Sequence, residues 1–139
     1  MQIIAVIATA KVMGYSGMTS EIAETAVATT GIFYPAIAPF IGSVGTFITG
    51  SATSSSVLFG KLQTASATAI SANADWLAAS NATGACAGKM ISPQSIAIAA
   101  AAISVTGQDS ALLKSAVKYY VPFVIVMGGI VYFGQSFIH

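Results

Sequence analysis

Two stretches of the sequence place polar side chains inside otherwise apolar runs. The first, GTFITGSATSSSVLFGKLQ, holds a cluster of hydroxylated residues from Thr49 to Ser56. The second, NATGACAGKMISPQS, holds Lys89 three residues before Ser92. Hydroxyl, amide and ammonium groups of this kind can bind a small anion without covalent chemistry. Both stretches are therefore candidate binding sites.

The remaining reactive side chains form no convincing catalytic or metal-binding pattern. Cys86 is the single cysteine, and no Cys/His cluster suggests a metal. His139 is the only histidine and ends the given sequence. A triad with Asp75 or Asp109 is formally possible, but a fraying terminus is a poor place for a general base. We expect neither an enzyme nor a resident cofactor or metal.

Composition indicates a membrane protein. The 139 residues are 55% hydrophobic and only 6% charged, with a mean hydropathy of +0.82. Soluble domains carry about 25% charged residues, so a soluble fold this apolar would lack the side chains to cover its core. The net charge is +1 and the basic residues are scattered, which leaves no electrostatic footprint for nucleic acid.

We expect apolar helices to position the two polar stretches. Helical runs are predicted at residues 1–15, 18–31, 32–50, 53–72, 73–90, 92–107 and 119–139, with a loop or surface helix at 108–118. The last run is the clearest membrane-spanning segment. The run 32–50 is also about membrane length, and its two prolines are tolerable where neighbouring helices satisfy the freed carbonyls. The fold class predicted is thus an all-α, multi-pass membrane protein.

Start and stop signals bound several of these helices. Thr19 or Ser20 is expected to cap the second helix and Gly31 to end it. Asn73 or Asp75 is expected to cap the helix predicted at 73–90, and this helix is expected to dissolve, losing its helical structure, at the glycines near its end. Lysines 114 and 118 precede the last span, which favours a cytoplasmic loop there and His139 outside.

The two polar stretches are interpreted as breaks in helices at membrane depth. Such breaks survive only inside protein or beside a watery cavity, because unpaired backbone groups are costly in lipid. Hydroxyls would cap the helix after the first break, and Ser92 with Pro93 would start the helix after the second. Each break would aim a helix N-terminus, with its partial positive charge, into the protein. Close helix packing is the alternative interpretation of the cluster from Thr49 to Ser56.

At these two breaks the chain resembles the L-lactate permease family of bacterial secondary transporters. The first stretch is similar to that family's G-x-F-x-T-G-S-x-T-S-S-N-x-L-F-x-x-L-Q segment, and the second to its N-x-T-G-x-x-x-G-K-M-I-S-P-Q-S-I-A-I-A segment. Two positions depart from the pattern, since Ala52 stands where many members carry Asp and Ser56 where Asn is usual. Members are much longer, so the whole chain, 1–139, would be the C-terminal part of a permease transmembrane domain, with no separate soluble domain.

The resemblance implies uptake of L-lactate, and of related 2-hydroxy monocarboxylates such as glycolate, together with a proton. It implies interrupted helices in an inverted-repeat carrier of the bacterial plasma membrane. The implied partners are the substrate, the proton, the lipid bilayer and the N-terminal remainder of the permease. Lys89 and helix N-termini would meet the carboxylate, and hydroxyl or amide groups the substrate hydroxyl. The residues expected to line the site are Thr49, Ser51, Thr53, Ser54, Asn81, Thr83, Lys89, Ser92 and Gln94.

Two other functions stay open from the sequence. A small membrane protein that does not transport could act as a partner or assembly piece of a larger complex, although two polar breaks argue against a simple anchor. A carrier for another organic anion, such as a dicarboxylate, is the second alternative. A single lysine near the breaks favours a monoanion.

Overall fold

The computed structural model describes residues 15–104 and 107–137, apart from the side chains at 19 and 20, together with residues 4, 8, 9, 11 and 12. Most of the helix predicted before Tyr15, and His139, lie outside the described residues. All regular structure in the described part is helical, which confirms the all-α prediction. The helices are α1 (Met18–Thr30), a 3-10 turn (Gly31–Phe33), α2 (Tyr34–Thr49), α3 (Ala52–Ala69), α4 (Ala74–Gly88), α5 (Pro93–Ala102) and α6 (Asp109–Gln135).

Two segments are long and apolar enough to cross a membrane. One, Glu21–Thr49, joins most of α1 to α2, and its most apolar 18-residue stretch has a mean hydropathy of 1.5. The other is α6, 27 residues long, whose most apolar 18-residue stretch has a mean hydropathy of 1.6. At 1.5 Å per residue α6 is about 40 Å long, more than the roughly 30 Å of a hydrocarbon core. Only 17% of this apolar stretch of α6 is buried inside the bundle, whereas the core helix of a soluble protein is mostly buried.

Three of the predicted helix boundaries are tested by the structure. Gly31 ends α1 as expected, and its N–H donates to the carbonyl of Val27. Asn73 caps α4, because its side-chain oxygen accepts from the N–H of Trp76 at 3.0 Å. The expectation of a cap at residue 19 or 20 is wrong. The N-cap is Gly17, two residues before Thr19, and α1 begins at Met18, because Gly17 turns the chain with a φ of 75°.

The glycine-rich part of α4 is helical, which corrects the prediction that this helix dissolves. Gly84 and Gly88 continue α4 because it packs against α2 with almost no separation between the backbones. A Cβ on Gly84 would overlap the carbonyl of Pro39, and one on Gly88 would overlap the backbone of Ser43. Small residues at such spacing allow membrane helices to approach closely. The glycines are therefore packing residues rather than helix breakers here.

The bundle is organised around α2, α3 and α4, which contact one another along their lengths. α1 packs on α3, α6 packs on α2 and α4, and α5 packs on α6. An apolar core forms where α2, α3, α4 and α6 meet, from Tyr34, Ala38, Ala67, Leu77 and Val131. The segment 108–118, predicted as a loop or a surface helix, is helical from Asp109 and continuous with the last span.

Candidate functional site

The first break is a two-residue interruption between α2 and α3. Gly50 ends α2 with a φ of 69°, and its N–H donates to the carbonyl of Thr46 at 2.7 Å. Ser51 caps α3, because its hydroxyl oxygen accepts from the N–H of Ser54 at 3.3 Å. The rest of the predicted hydroxyl cluster is already helical. A hydroxyl therefore caps α3, as the sequence indicates, but the unwound part is shorter than the cluster.

The second break separates α4 from α5 and spans residues 89–92. Pro93 is the first residue of α5, as predicted, and Ser92 occupies the N-cap position with extended backbone angles. The Ser92 hydroxyl makes no capping hydrogen bond. It is buried and has no hydrogen-bond partner among the described residues. The break thus contains a hydroxyl group whose hydrogen-bonding capacity is unused within the described part of the chain.

Lys89 joins the two breaks. Its ammonium nitrogen donates to the carbonyl oxygen of Gly50 at 3.1 Å. Gly50 is the C-cap of α2, where helix carbonyls lack an intrahelical partner and carry partial negative charge. The Lys89 ammonium is therefore held at the point where both chain breaks meet.

A cavity of about 270 Å³ opens at this meeting point. Its volume is close to the lower end of small-molecule sites, which span about 300–1,000 Å³. Thr49 lies in its wall and donates its hydroxyl hydrogen to the carbonyl of Gly45 at 2.8 Å. The Gln94 amide lies against Gly50, because a Cβ on that glycine would overlap its oxygen. The cavity is lined by Phe47, Ile48, Thr49, Gly50, Ser92, Pro93 and Gln94.

The structure brings together only some of the residues that the sequence singles out. Thr49, Ser92 and Gln94 line the cavity, and Lys89 contacts the backbone of Gly50 in its wall. Ser51 and Ser54 form the cap beside it. This group contains one ammonium, several hydroxyls and one amide. Such a set can bind a small anion that also carries a hydroxyl group.

Three of the expected residues lie elsewhere. Thr53 is exposed on α3. Asn81 is buried in the bundle, where its side-chain oxygen accepts from Nε2 of Gln63 at 3.3 Å. Thr83 lies beside a separate cavity of about 80 Å³ between α4 and α6, and its hydroxyl donates to the carbonyl of Ala79 at 2.9 Å.

Buried polar contacts link the helices of the bundle away from the cavity. The Tyr34 hydroxyl donates to Oε1 of Gln63 at 3.0 Å, so Tyr34, Gln63 and Asn81 link α2, α3 and α4. The hydroxyls of Ser43 and Tyr120 lie 2.5 Å apart and link α2 to α6. Sequence reasoning missed both links. The glutamine inside an apolar helix was the available signal, since a buried amide requires partners.

Comparison with known proteins finds similarity to permeases. The profile of a family described as L-lactate permease matches residues 1–138. An L-lactate permease of Halalkalibacterium halodurans is 45% identical over 119 residues, or 86% of this chain. The glycolate permease GlcA and an L-lactate permease of Escherichia coli are 46% and 45% identical over 123 residues, or 88% of this chain.

The chain spans 22% of the length of each of these three relatives. No solved structure matches it. The matched family is one of permeases, which are membrane transporters, and this fits the expectation that the chain is not an enzyme.

Proposed function

The chain belongs to the L-lactate permease family, and from that premise we propose that it is part of a carrier for L-lactate. The proposed substrates include related 2-hydroxy monocarboxylates such as glycolate. One of the relatives is named as a glycolate permease. The carrier would be a multi-pass protein of the bacterial plasma membrane. Its two helix breaks would interrupt membrane-spanning segments, as in carriers built from inverted repeats.

The observation that carries this proposal is the contact of Lys89 with Gly50 at the edge of the shared cavity. A substrate carboxylate would accept hydrogen bonds from the Lys89 ammonium and from the N-terminus of α5. The substrate hydroxyl would pair with Thr49 or with the Gln94 amide. An anion of one charge matches a site with one cation, which supports a monocarboxylate over a dicarboxylate.

We also propose that a proton accompanies the substrate. Lactate carries one negative charge, and moving one charge against a membrane potential costs about 2.3 kcal/mol per 100 mV. A proton taken up with the anion cancels that charge, so the loaded carrier crosses without this cost. The group that binds the proton would belong to the complete carrier, of which this chain matches about a fifth in the relatives.

The experiment joins this chain to the rest of a known carrier. Residues 1–138 replace the matching segment of the Escherichia coli L-lactate permease, giving a chimera for expression in cells without lactate uptake. We expect accumulation of labelled L-lactate, competition by unlabelled L-lactate and glycolate, and much weaker competition by succinate. A matched culture expresses the permease that lacks the segment.

The other outcomes separate the alternative functions. Strong competition by succinate would identify a dicarboxylate carrier. A chimera that inserts in the membrane but accumulates none of these acids would contradict the proposal and favour a protein without transport activity. Collapse of the proton gradient should abolish accumulation if a proton is co-transported, and unchanged accumulation would refute the coupling.

A further inference from the structure

One face of α3 remains polar and uncovered. Its opposite side is buried against α1, α2 and α4, through residues that include Leu62 and Gln63. We call the uncovered side the α3 polar face. It consists of Thr53, Val57, Gly60, Lys61, Thr64 and Thr68. Their spacing of three and four residues places them along one side of the helix.

The threonines of this face are compatible with close contact by another helix. The Thr64 hydroxyl donates to the carbonyl of Gly60 at 3.0 Å, and the Thr68 hydroxyl donates to the carbonyl of Thr64 at 3.1 Å. Their hydrogen bonds are therefore made within α3. A Cβ on Gly60 would meet nothing within 4 Å, so the surface there is open. Small residues with internally bonded hydroxyls are typical of helix–helix interfaces in membranes.

Lys61 is the one group on this face whose charge is unmatched. It is exposed and lies nine residues after the start of α3, about 14 Å along a helix of 18 residues. α1 packs on α3 and carries Glu21 and Glu24, yet neither of these described carboxylates forms an ion pair with Lys61.

We propose that the α3 polar face binds a helix from the part of the carrier that lies outside this chain, and that this helix presents small residues and one Asp or Glu to Lys61. The matched relatives are more than four times as long as the segment they share with this chain, so most of each relative lies outside that segment. Charge complementarity selects an acidic partner, because no described carboxylate pairs with the exposed Lys61. This inference concerns assembly and does not depend on which substrate is transported.

The test expresses this chain and the Escherichia coli L-lactate permease without its matching segment as two separate polypeptides. Tagged chain is purified from mild detergent, and the co-purified permease portion is measured. We expect Lys61→Glu to reduce co-purification at least tenfold and Lys61→Arg to leave it near the original level. Lys114→Glu is the matched control, because Lys114 is exposed at the start of α6 and away from this face. An Asp or Glu→Lys change in the permease portion that restores binding to Lys61→Glu would identify the partner residue.

A labelling measurement separates a protein partner from a water-filled path. Thr64→Cys is introduced with Cys86→Ser, so that a membrane-impermeant maleimide can report on the face alone. We expect the permease portion to slow the labelling at least tenfold, and Lys61→Glu to remove this protection. Equal co-purification of Lys61→Glu and the unaltered chain would overturn the proposal. Unprotected labelling of Thr64→Cys in the assembled pair would overturn it as well.

Discussion

Lys89 donates a hydrogen bond to the carbonyl oxygen of Gly50 across 39 residues of sequence, at 3.1 Å. A cation beside a helix C-terminus is stabilising by about 0.3–1 kcal/mol, because it offsets the partial negative charge there. We propose that the same ammonium also contacts the substrate carboxylate. Its structural contact with α2 and its proposed contact with substrate can therefore be separated by experiment.

Replacing Lys89 should impair transport far more than folding. In the chimera with the Escherichia coli permease, we expect Lys89→Ala to reduce L-lactate uptake at least tenfold, equivalent to about 1.4 kcal/mol of lost interaction. The amount of protein in the membrane should change little, since the helix-end contact contributes no more than about 1 kcal/mol. Lys114→Ala removes an exposed lysine outside the cavity and should leave uptake unchanged. Near-normal uptake by Lys89→Ala would show that this lysine is structural only.

The glycines of α4 should be sensitive to a single methyl group. We expect Gly84→Ala to destabilise the chain by about 1–3 kcal/mol, because the new Cβ overlaps the Pro39 carbonyl and forces α2 and α4 apart. Gly129→Ala in α6 is the matched control, since its Cβ would meet nothing within 4 Å. It should be neutral or stabilise by up to about 1 kcal/mol through helix propensity. Thermal unfolding in detergent, followed by circular dichroism, measures both, and equal midpoints would refute the close packing.

The position of the helix breaks was accessible from sequence because it depends on local signals. Gly50 and Ser51 combine a left-handed C-cap with a hydroxyl N-cap, and Pro93 can begin a helix but cannot continue one. Asn73 caps α4 for the same kind of local reason. Such signals act within a few residues, so the sequence alone contains them.

Contacts between helices were not accessible in the same way. Asn81 and Lys89 both lie near the second break in sequence, but eight residues of helix separate two side chains by about 12 Å along the axis. Asn81 therefore meets Gln63 in the bundle, while Lys89 meets Gly50 at the cavity. The glycines of α4 were interpreted as breakers because the sequence does not reveal that α2 packs so closely against them.

Two adjacent tyrosines of α6 offer a matched pair for testing how this helix attaches to α2. Tyr120 is 7% exposed and its hydroxyl lies 2.5 Å from that of Ser43, whereas Tyr119 is 67% exposed. We expect Tyr120→Phe to destabilise the chain by about 1 kcal/mol, because it leaves the buried Ser43 hydroxyl without this partner. Tyr119→Phe should change the unfolding midpoint little. Equal midpoints for the two variants would mean that the hydroxyl pair contributes nothing to stability.

Replacing Gly50 should both strain the backbone and weaken the affinity for the substrate. Its φ of 69° makes alanine unfavourable by about 1–2 kcal/mol, and a Cβ there would also displace the Gln94 amide from its position in the cavity wall. Gly17→Ala isolates the first effect, because Gly17 has a φ of 75° but open space around its Cβ. We expect both variants to lose similar stability, and only Gly50→Ala to raise the KM of the chimera for L-lactate, by about tenfold or 1.4 kcal/mol.

Comparing Gly50→Ala with Gln94→Ala and with the double variant shows whether the effect of Gly50 on affinity passes through the amide. If Gln94 binds the substrate hydroxyl, both single variants raise the KM for L-lactate and the double variant raises it no further, because the amide is already lost. Additive effects would mean that Gly50 acts on the cavity independently of Gln94. A KM unchanged in all three variants would remove the Gln94 amide from the proposed recognition of the substrate hydroxyl.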